Sequence, residues 1–222
     1  MEPEILFEDP QITVAIKPPL MLSEQSESAN SFAALLAKRN PSGYIGVVHR
    51  LDLGVGGVMV YARTSSAAAE LSQEVANRQM QKEYLAVVHG IPEEAEAELT
   101  DLLFFDRSRN KSYVVDRQRK GVKEAILHYR VLETIEHPEY GTLSLLHIKL
   151  QTGRTHQIRV QFASRRLPLL GDGKYGAADH CPIALFSHRI TLVHPKSKKT
   201  VSFSQYPAGT PWTDFSALQQ NT

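Results

Sequence analysis

Apolar and polar positions alternate over much of this chain, and where they do so the spacing predicts strands. Ile12 to Ile16, interrupted by polar Thr13, reads as a short one. Gly57 to Arg63, Glu83 to His89, Glu124 to Glu133, Thr142 to Gln151 and Leu185 to Leu192 read as further strands, several of them long and separated by short turns. Three segments carry helical spacing instead. Ser28 to Arg39 is stopped by Asn40-Pro41, Ser66 to Gln79 sets Ala68, Leu71 and Val75 on one stripe, and Thr155 to Arg166 places Ile158 and Phe162 on one face and ends before Pro168. Many strands, few helices and no regular strand-helix-strand rhythm predict an α+β domain on a largely antiparallel sheet.

Composition narrows the class. With 222 residues, 42% of them apolar, the chain can bury a substantial core. No internal repeat or linker-like tract interrupts it, so a single domain over residues 1–222 is expected. Its one cysteine, Cys181, can form no internal disulfide and has no Cys-x-x-Cys partner for zinc, which suits a reducing, cytoplasmic setting. The apolar runs are only a few residues long and the acidic start Met1-Glu2-Pro3-Glu4 precedes no apolar leader, so a soluble, unexported protein without a membrane partner is expected.

The net charge of +1 does not by itself call for a polyanionic partner, but the distribution of charge does more. Arg107, Arg109, Lys111, Arg117, Arg119, Lys120 and Lys123 crowd one run that contains only Asp116 on the acidic side, while Glu93, Glu94, Glu96, Glu98 and Asp101 lie just upstream. Such segregation can build a phosphate-binding face on a nearly neutral protein, and it equally suits a solvated hairpin tip.

The candidate chemistry sits in three blocks. His49-Arg50-Leu51-Asp52-Leu53-Gly54-Val55-Gly56-Gly57 delivers an aspartate from a glycine-rich turn just ahead of an apolar strand, where a carboxylate can act as nucleophile or base. Gln81-Lys82-Glu83-Tyr84-Leu85 follows, and then Leu150-Gln151-Thr152-Gly153-Arg154-Thr155-His156-Gln157-Ile158-Arg159. Other motifs fail. Gly171-Asp172-Gly173-Lys174-Tyr175-Gly176 fits G-x-G-x-x-G, yet it follows a helix and Pro168 instead of a strand, so no nucleotide site is expected there. The nine histidines form no His-x-His or His-Glu-x-x-His pair, so no protein-built metal site is expected, and His156 reads as a hydrogen-bonded scaffold residue.

In this order the three blocks resemble the RluA-type pseudouridine synthases. The resemblance runs from Ile5-Leu6-Phe7-Glu8-Asp9 and Val14-Ala15-Ile16-Lys17-Pro18 through Leu169-Leu170-Gly171-Asp172 to Leu185-Phe186-Ser187-His188 and Leu192-Val193-His194-Pro195. It implies the pseudouridine synthase fold, a mixed, mostly antiparallel sheet flanked by helices with a central catalytic cleft. It also implies isomerisation of a uridine in structured tRNA or rRNA, such as a stem-loop, through base flipping and an aspartate, with no cofactor, by a monomer that needs no protein partner.

By the same resemblance Asp52 is the catalytic aspartate. It could add to the base, attack the ribose or abstract a ribose proton to give a glycal, and the sequence leaves these routes open. Arg159 matches the arginine that ion-pairs with it, Tyr84 the tyrosine that stacks on the target base, and Arg50 an arginine that can fill the gap left by the flipped base. Arg107, Arg109, Lys111, Arg117, Arg119 and Lys120 are candidates for gripping RNA phosphates from a projecting hairpin. Many relatives carry an extra N-terminal RNA-binding module. Here the match starts near residue 5, so recognition is expected to come from the catalytic domain itself.

Two departures from the family pattern stand out. Members commonly carry Thr-Ser-Gly or a near variant where this chain has Val55-Gly56-Gly57, and a small residue with a glycine where it has Pro19-Leu20. The competing reading is a non-catalytic RNA-binding protein or RNA chaperone on the same scaffold.

Overall fold

The computed structural model describes residues 2–26 and 30–219. In chain order the strands and helices are β1 (Glu4–Glu8), β2 (Ile12–Lys17), α1 (Phe32–Ala37), β3 (Gly46–Val47), β4 (Gly56–Ala62), α2 (Ser65–Ala76), β5 (Gln81–His89) and β6 (Glu96–Asp106). They continue with β7 (Lys111–Val115), β8 (Val122–His137), β9 (Gly141–Leu150), α3 (Gln157–Ala163), β10 (Leu185–Val193), β11 (Thr200–Ser204) and α4 (Ser216–Gln219). These elements fall into two compact units, residues 1–82 with 186–207 and residues 83–185 with 208–222.

The first unit is built on β4. All seven of its residues are buried, the pattern of a strand covered on both faces. β2 lies antiparallel along it, β3 pairs with it antiparallel, and β10 meets it in parallel at Phe186 opposite Gly56 and Ser187 opposite Gly57. β1 extends the sheet beyond β2, and β11 pairs antiparallel with β10. Ile12, Val14, Val58, Val60, Ala67, Leu71, Ile190 and Leu192 form its core. Helix α2 closes that core with Leu71. Its N-terminus is capped by the Thr64 hydroxyl, which accepts from Ala67 N, and Glu74 Oε1 accepts from Val193 N at 2.8 Å, tying the helix to β10. Helix α1 is shorter than the Ser28 to Arg39 expectation. It is capped by Ser31 and ends at Ala37, and Ser28 and Ala29 lie outside the described residues.

In the second unit the strand order is β5-β9-β8-β6-β7. β8, with 16 residues, is the backbone of the unit, flanked antiparallel by β9 and β6, and β7 forms the edge. Helix α3 packs there through Val160, near Leu103 and Ala125, while Phe162 meets Tyr129 edge-on at 5.4 Å.

Glycine at 57 is a requirement of the first sheet. Its φ is +125°, and a Cβ placed on it would lie 2.3 Å from the Ser187 carbonyl oxygen and 2.6 Å from Ser187 N. The neighbouring contact is tight too, since Ser187 Oγ donates to Val58 O at 2.9 Å. Gly57→Ala should therefore force β4 and β10 apart and destabilise the protein by more than about 2 kcal/mol. Gly173→Ala, where a Cβ meets nothing within 4 Å, should cost less than about 1 kcal/mol. Denaturant or thermal unfolding of the two variants checks the contrast, and equal stabilities would contradict the close approach.

Candidate active site

Asp52 leaves the first unit's sheet through a turn that is held at several points. Val55 N donates to Asp52 O at 3.0 Å, closing a turn over the four residues that lead directly into β4. Just upstream, the Ser23 hydroxyl accepts from Leu51 N and donates to Leu51 O, both at 3.0 Å, so the peptide before the aspartate is clamped from one side chain. The Tyr61 hydroxyl donates to Ser23 O in turn, and burial pushes its pKa up. His49 Nε2 accepts from Val60 N, which requires a neutral ring. Burial, aided by the Lys82 charge, holds its pKa well below the ordinary imidazole value.

A second clamp comes from Lys17, at the end of β2. Its side chain is fully buried, and Nζ donates to Pro18 O and Met21 O at 2.9 Å each, stapling the turn between them. Burial lowers its pKa to about 8, against the opposing pull of the Asp52 carboxylate. This staple carries Pro19 against the start of β4, where a Cβ on Gly56 would come within 3.2 Å of Pro19 Cδ and Lys17 O. The two departures from the family pattern are thus in contact. Bulk at Pro19 is accommodated by its absence at Gly56. Leu20, in the same turn, has φ +63°, a left-handed conformation that costs a leucine roughly 1–2 kcal/mol. The family's glycine at that position meets no such cost. Arg50 is exposed and pairs with Glu24 at 3.3 Å, a surface ion pair worth about 0–1 kcal/mol and easily exchanged for another anion.

Tyr84 and Arg159 belong to the second unit. Tyr84 sits within β5 and is 6% exposed. Next to it, Glu83 reaches His147 of β9 at 2.6 Å. Arg159 occupies the first turn of α3. Its guanidinium forms a fork on Asp172, Nε to Oδ2 at 2.7 Å and Nη2 to Oδ1 at 2.8 Å, with the Asp172 side chain almost wholly buried. Nothing in the sequence around Asp172 marks it as this partner. Asp172 lies in the glycine motif that resembles a nucleotide fingerprint. That motif forms only a short 3-10 turn, Gly173–Tyr175, with Gly171 at φ +76° pressed against the Cys181 and Pro182 carbonyls.

The loop ahead of α3 explains how Arg159 is aimed. Gln157 Oε1 accepts from the Thr152 hydroxyl and from Arg154 N, and its Nε2 donates to Ile126 O of β8. His156, at φ +54°, places Nδ1 2.9 Å from the Tyr175 hydroxyl, which also accepts from Ser112 N. Burial raises the Tyr175 pKa to about 12, and the Arg159 guanidinium lies 5.1 Å from the centre of its ring. His156 is thus hydrogen-bonded to Tyr175, as its sequence context suggested.

The basic run does not form one projecting hairpin. Arg107 and Arg109 occupy the turn between β6 and β7, whereas Arg117, Arg119 and Lys120 occupy the turn between β7 and β8, at the opposite end of β7. Five strand residues separate the two groups, a span of about 17 Å. Composition shows how many charges a segment holds but not the strand between them. Lys111, the first residue of β7, lies 5.0 Å from the Tyr175 ring centre, and Arg119 lies 4.9 Å from that of Phe104. Val115, Asp116, Arg117 and Arg119 line a recess of about 280 Å³.

Comparison with known proteins decides the family. Residues 11–164 match the model of the RNA pseudouridylate synthases. The chain belongs to the RNA pseudouridylate synthase family, of the RluA type. An uncharacterized RNA pseudouridine synthase of Synechocystis is 31% identical over 214 residues, covering 90% of this chain and 64% of that protein. Ribosomal large subunit pseudouridine synthase D of Neisseria meningitidis serogroup B is 32% identical over 221 residues, covering 90% and 57%. The chain spans less than two thirds of the length of these relatives. Human RNA pseudouridylate synthase domain containing 1 superposes with a TM-score of 0.78 at 20% identity, covering 92% of this chain and 83% of that one, and it shares the pseudouridine synthase fold.

Lys17 gives this pseudouridylate synthase chain a pH signature. Its folded pKa of about 8 lies below the ordinary 10.5, so below pH 8 both folded and unfolded states hold the proton and the cost of burying the charge is fully present. As pH rises from 8 towards 10.5 the folded state releases its proton first, and stability rises across that window. The unfolding free energy of wild type minus that of Lys17→Met should therefore increase between pH 8 and 10.5. A pH-independent difference would contradict the buried ammonium.

Proposed function

We propose that the chain is an RNA pseudouridine synthase that isomerises a specific uridine in a structured tRNA or rRNA. The observation that carries this reading is the Asp52 turn, whose backbone is held by the Ser23 clamp on Leu51 and, through Leu20 N on Leu53 O, by the turn that Lys17 staples. Breaking a glycosidic bond and rejoining the base through carbon 5 needs one anionic group at a fixed place, and a clamped turn supplies it without reorganisation. Arg159 takes the role its motif position implies, keeping that carboxylate ionised, with Asp172 fixing its guanidinium plane. Tyr84 offers the ring on which the flipped base stacks, and Arg50 the guanidinium that occupies the vacated position in the RNA stack. The single cysteine supports a cytoplasmic, reducing setting.

The test is Asp52→Asn, which keeps shape and removes charge. It should abolish tritium release from RNA labelled with 5-tritiated uridine while leaving unfolding and RNA affinity nearly unchanged. Residual turnover in the purified variant would overturn the assignment of Asp52. A wild type that binds RNA without releasing tritium would favour the non-catalytic RNA-binding reading.

The turn between β7 and β8 is proposed to grip phosphates. Replacing Arg117, Arg119 and Lys120 together with alanine should lower the slope of log affinity against log salt by about two to three if all three touch phosphate. The modified position should be unchanged, because phosphate contacts carry no sequence information. An unaltered salt slope would show the turn to be solvated surface.

A further inference from the structure

Beside Asp52 the first unit presents two exposed leucines that packing does not explain. Leu20 is 72% exposed and Leu53, the residue directly after Asp52, is 50% exposed. They are fixed to each other through the backbone, since Leu20 N donates to Leu53 O at 2.7 Å. Leu20 is also held in the left-handed region at φ +63°, which a leucine adopts only when its surroundings impose it. Two contacts impose it. The buried Lys17 ammonium binds the carbonyls on either side, Pro18 O and Met21 O, and Pro19 is seated against Gly56. The turn is thus rigid and strained, and it displays apolar surface to water.

Resting on the function proposed above, we propose that Leu20 and Leu53 form an apolar edge that covers the face of the base next to the reacting uridine in the RNA. Extruding one nucleotide strips its neighbour of a stacking partner and leaves a flat apolar face in water. A preformed apolar edge beside the reacting carboxylate covers that face without an ordering cost. The exposed Arg50 guanidinium, two residues before Asp52 and paired with Glu24 at the surface, fills the vacated position against the neighbour on one side and leaves the face of the neighbour on the other side to the leucines. Two exposed leucines beside a planar cation match the faces of stacked bases better than a protein partner, whose interface needs a far larger patch.

The edge differs from a phosphate contact in having no counterion to release, and from a packing residue in being exposed. Leu20→Gly and Leu53→Ala are assayed for tritium release under single turnover. The substrate is total RNA, labelled with 5-tritiated uridine, from cells lacking the gene. Each variant should raise the half-saturating enzyme concentration roughly fivefold or more, by the same factor at low and high salt. Leu20→Gly should meanwhile melt at or above the wild-type temperature, because glycine relieves the left-handed backbone. Half-saturation at the wild-type concentration in both variants, with wild type active, would overturn the inference and leave the proposed function standing. A loss of affinity that shrinks with added salt would overturn it, as would a wild-type dimer in sedimentation that both variants dissolve. A wild type that releases no tritium would remove the inference and the proposed function together.

Discussion

The first unit depends on β4 being covered on every side. With seven buried residues in succession, and neighbours on both edges, the strand leaves no room for a side chain where it meets Ser187. Gly57 is the local consequence, and Gly56 is another, because the stapled turn at Pro19 closes on it from the opposite strand neighbour. The chain entering this strand has only Leu53 to Val55 between Asp52 and the sheet, so the position of the carboxylate is inherited from the strand rather than chosen by a free loop. A loop that close to a fully buried strand has little freedom to move without disturbing the pairing behind it.

Charged groups in the interior follow a consistent economy. Burying an ion costs several kcal/mol unless its hydrogen-bonding capacity is met. The Lys17 ammonium meets two carbonyls, the Glu74 carboxylate receives Val193 N, and the Asp172 carboxylate receives two guanidinium nitrogens. Burial still wins at Glu74, whose pKa is raised despite that backbone donor. None of these groups is replaceable by an apolar side chain of similar size without also removing a geometric restraint. Lys17 sets a turn, Glu74 joins a helix to a strand, and Asp172 sets the plane of an arginine.

β8 and β10 were legible because more and less buried positions alternate along much of them, whereas β2, β4 and β5 were legible as short, nearly continuous apolar runs buried on both faces. β2, β5, β8 and β10 contain the strands their spacing predicts, β4 and β9 match theirs with a shift of one residue, α3 lies within its predicted helix and α2 overlaps most of its own. β6 was hidden by Glu96, Glu98 and Asp101, which look like a charged loop when the partner strand is unknown, and β1, β3, β7 and β11 lie at edges or are too short for a period to show. The start of α3 shifts to Gln157 because His156 takes a left-handed conformation to reach Tyr175. Asp52, Arg50, Tyr84 and Arg159 stood out by motif alone. Lys17 and Asp172 did not, since an acidic residue between glycines reads as a turn former and a lysine at a strand end reads as solvated. Their roles exist only once segments distant in sequence are brought together.

Arg159 shows why such hidden partners matter to chemistry. A guanidinium carries five donors in one plane, and a surface arginine can turn that plane freely. Here Asp172 takes two donors from one edge, and the Tyr175 ring lies 5.1 Å away from the guanidinium carbon. Tyr175 is itself fixed by Ser112 and His156. Each restraint removes one rotation, so the direction of the other donors is determined by residues that never need to touch a substrate. Asp172 also offsets the arginine charge, so the pair can be buried as a neutral unit, and the arginine keeps directional donors without leaving an uncompensated ion in the interior.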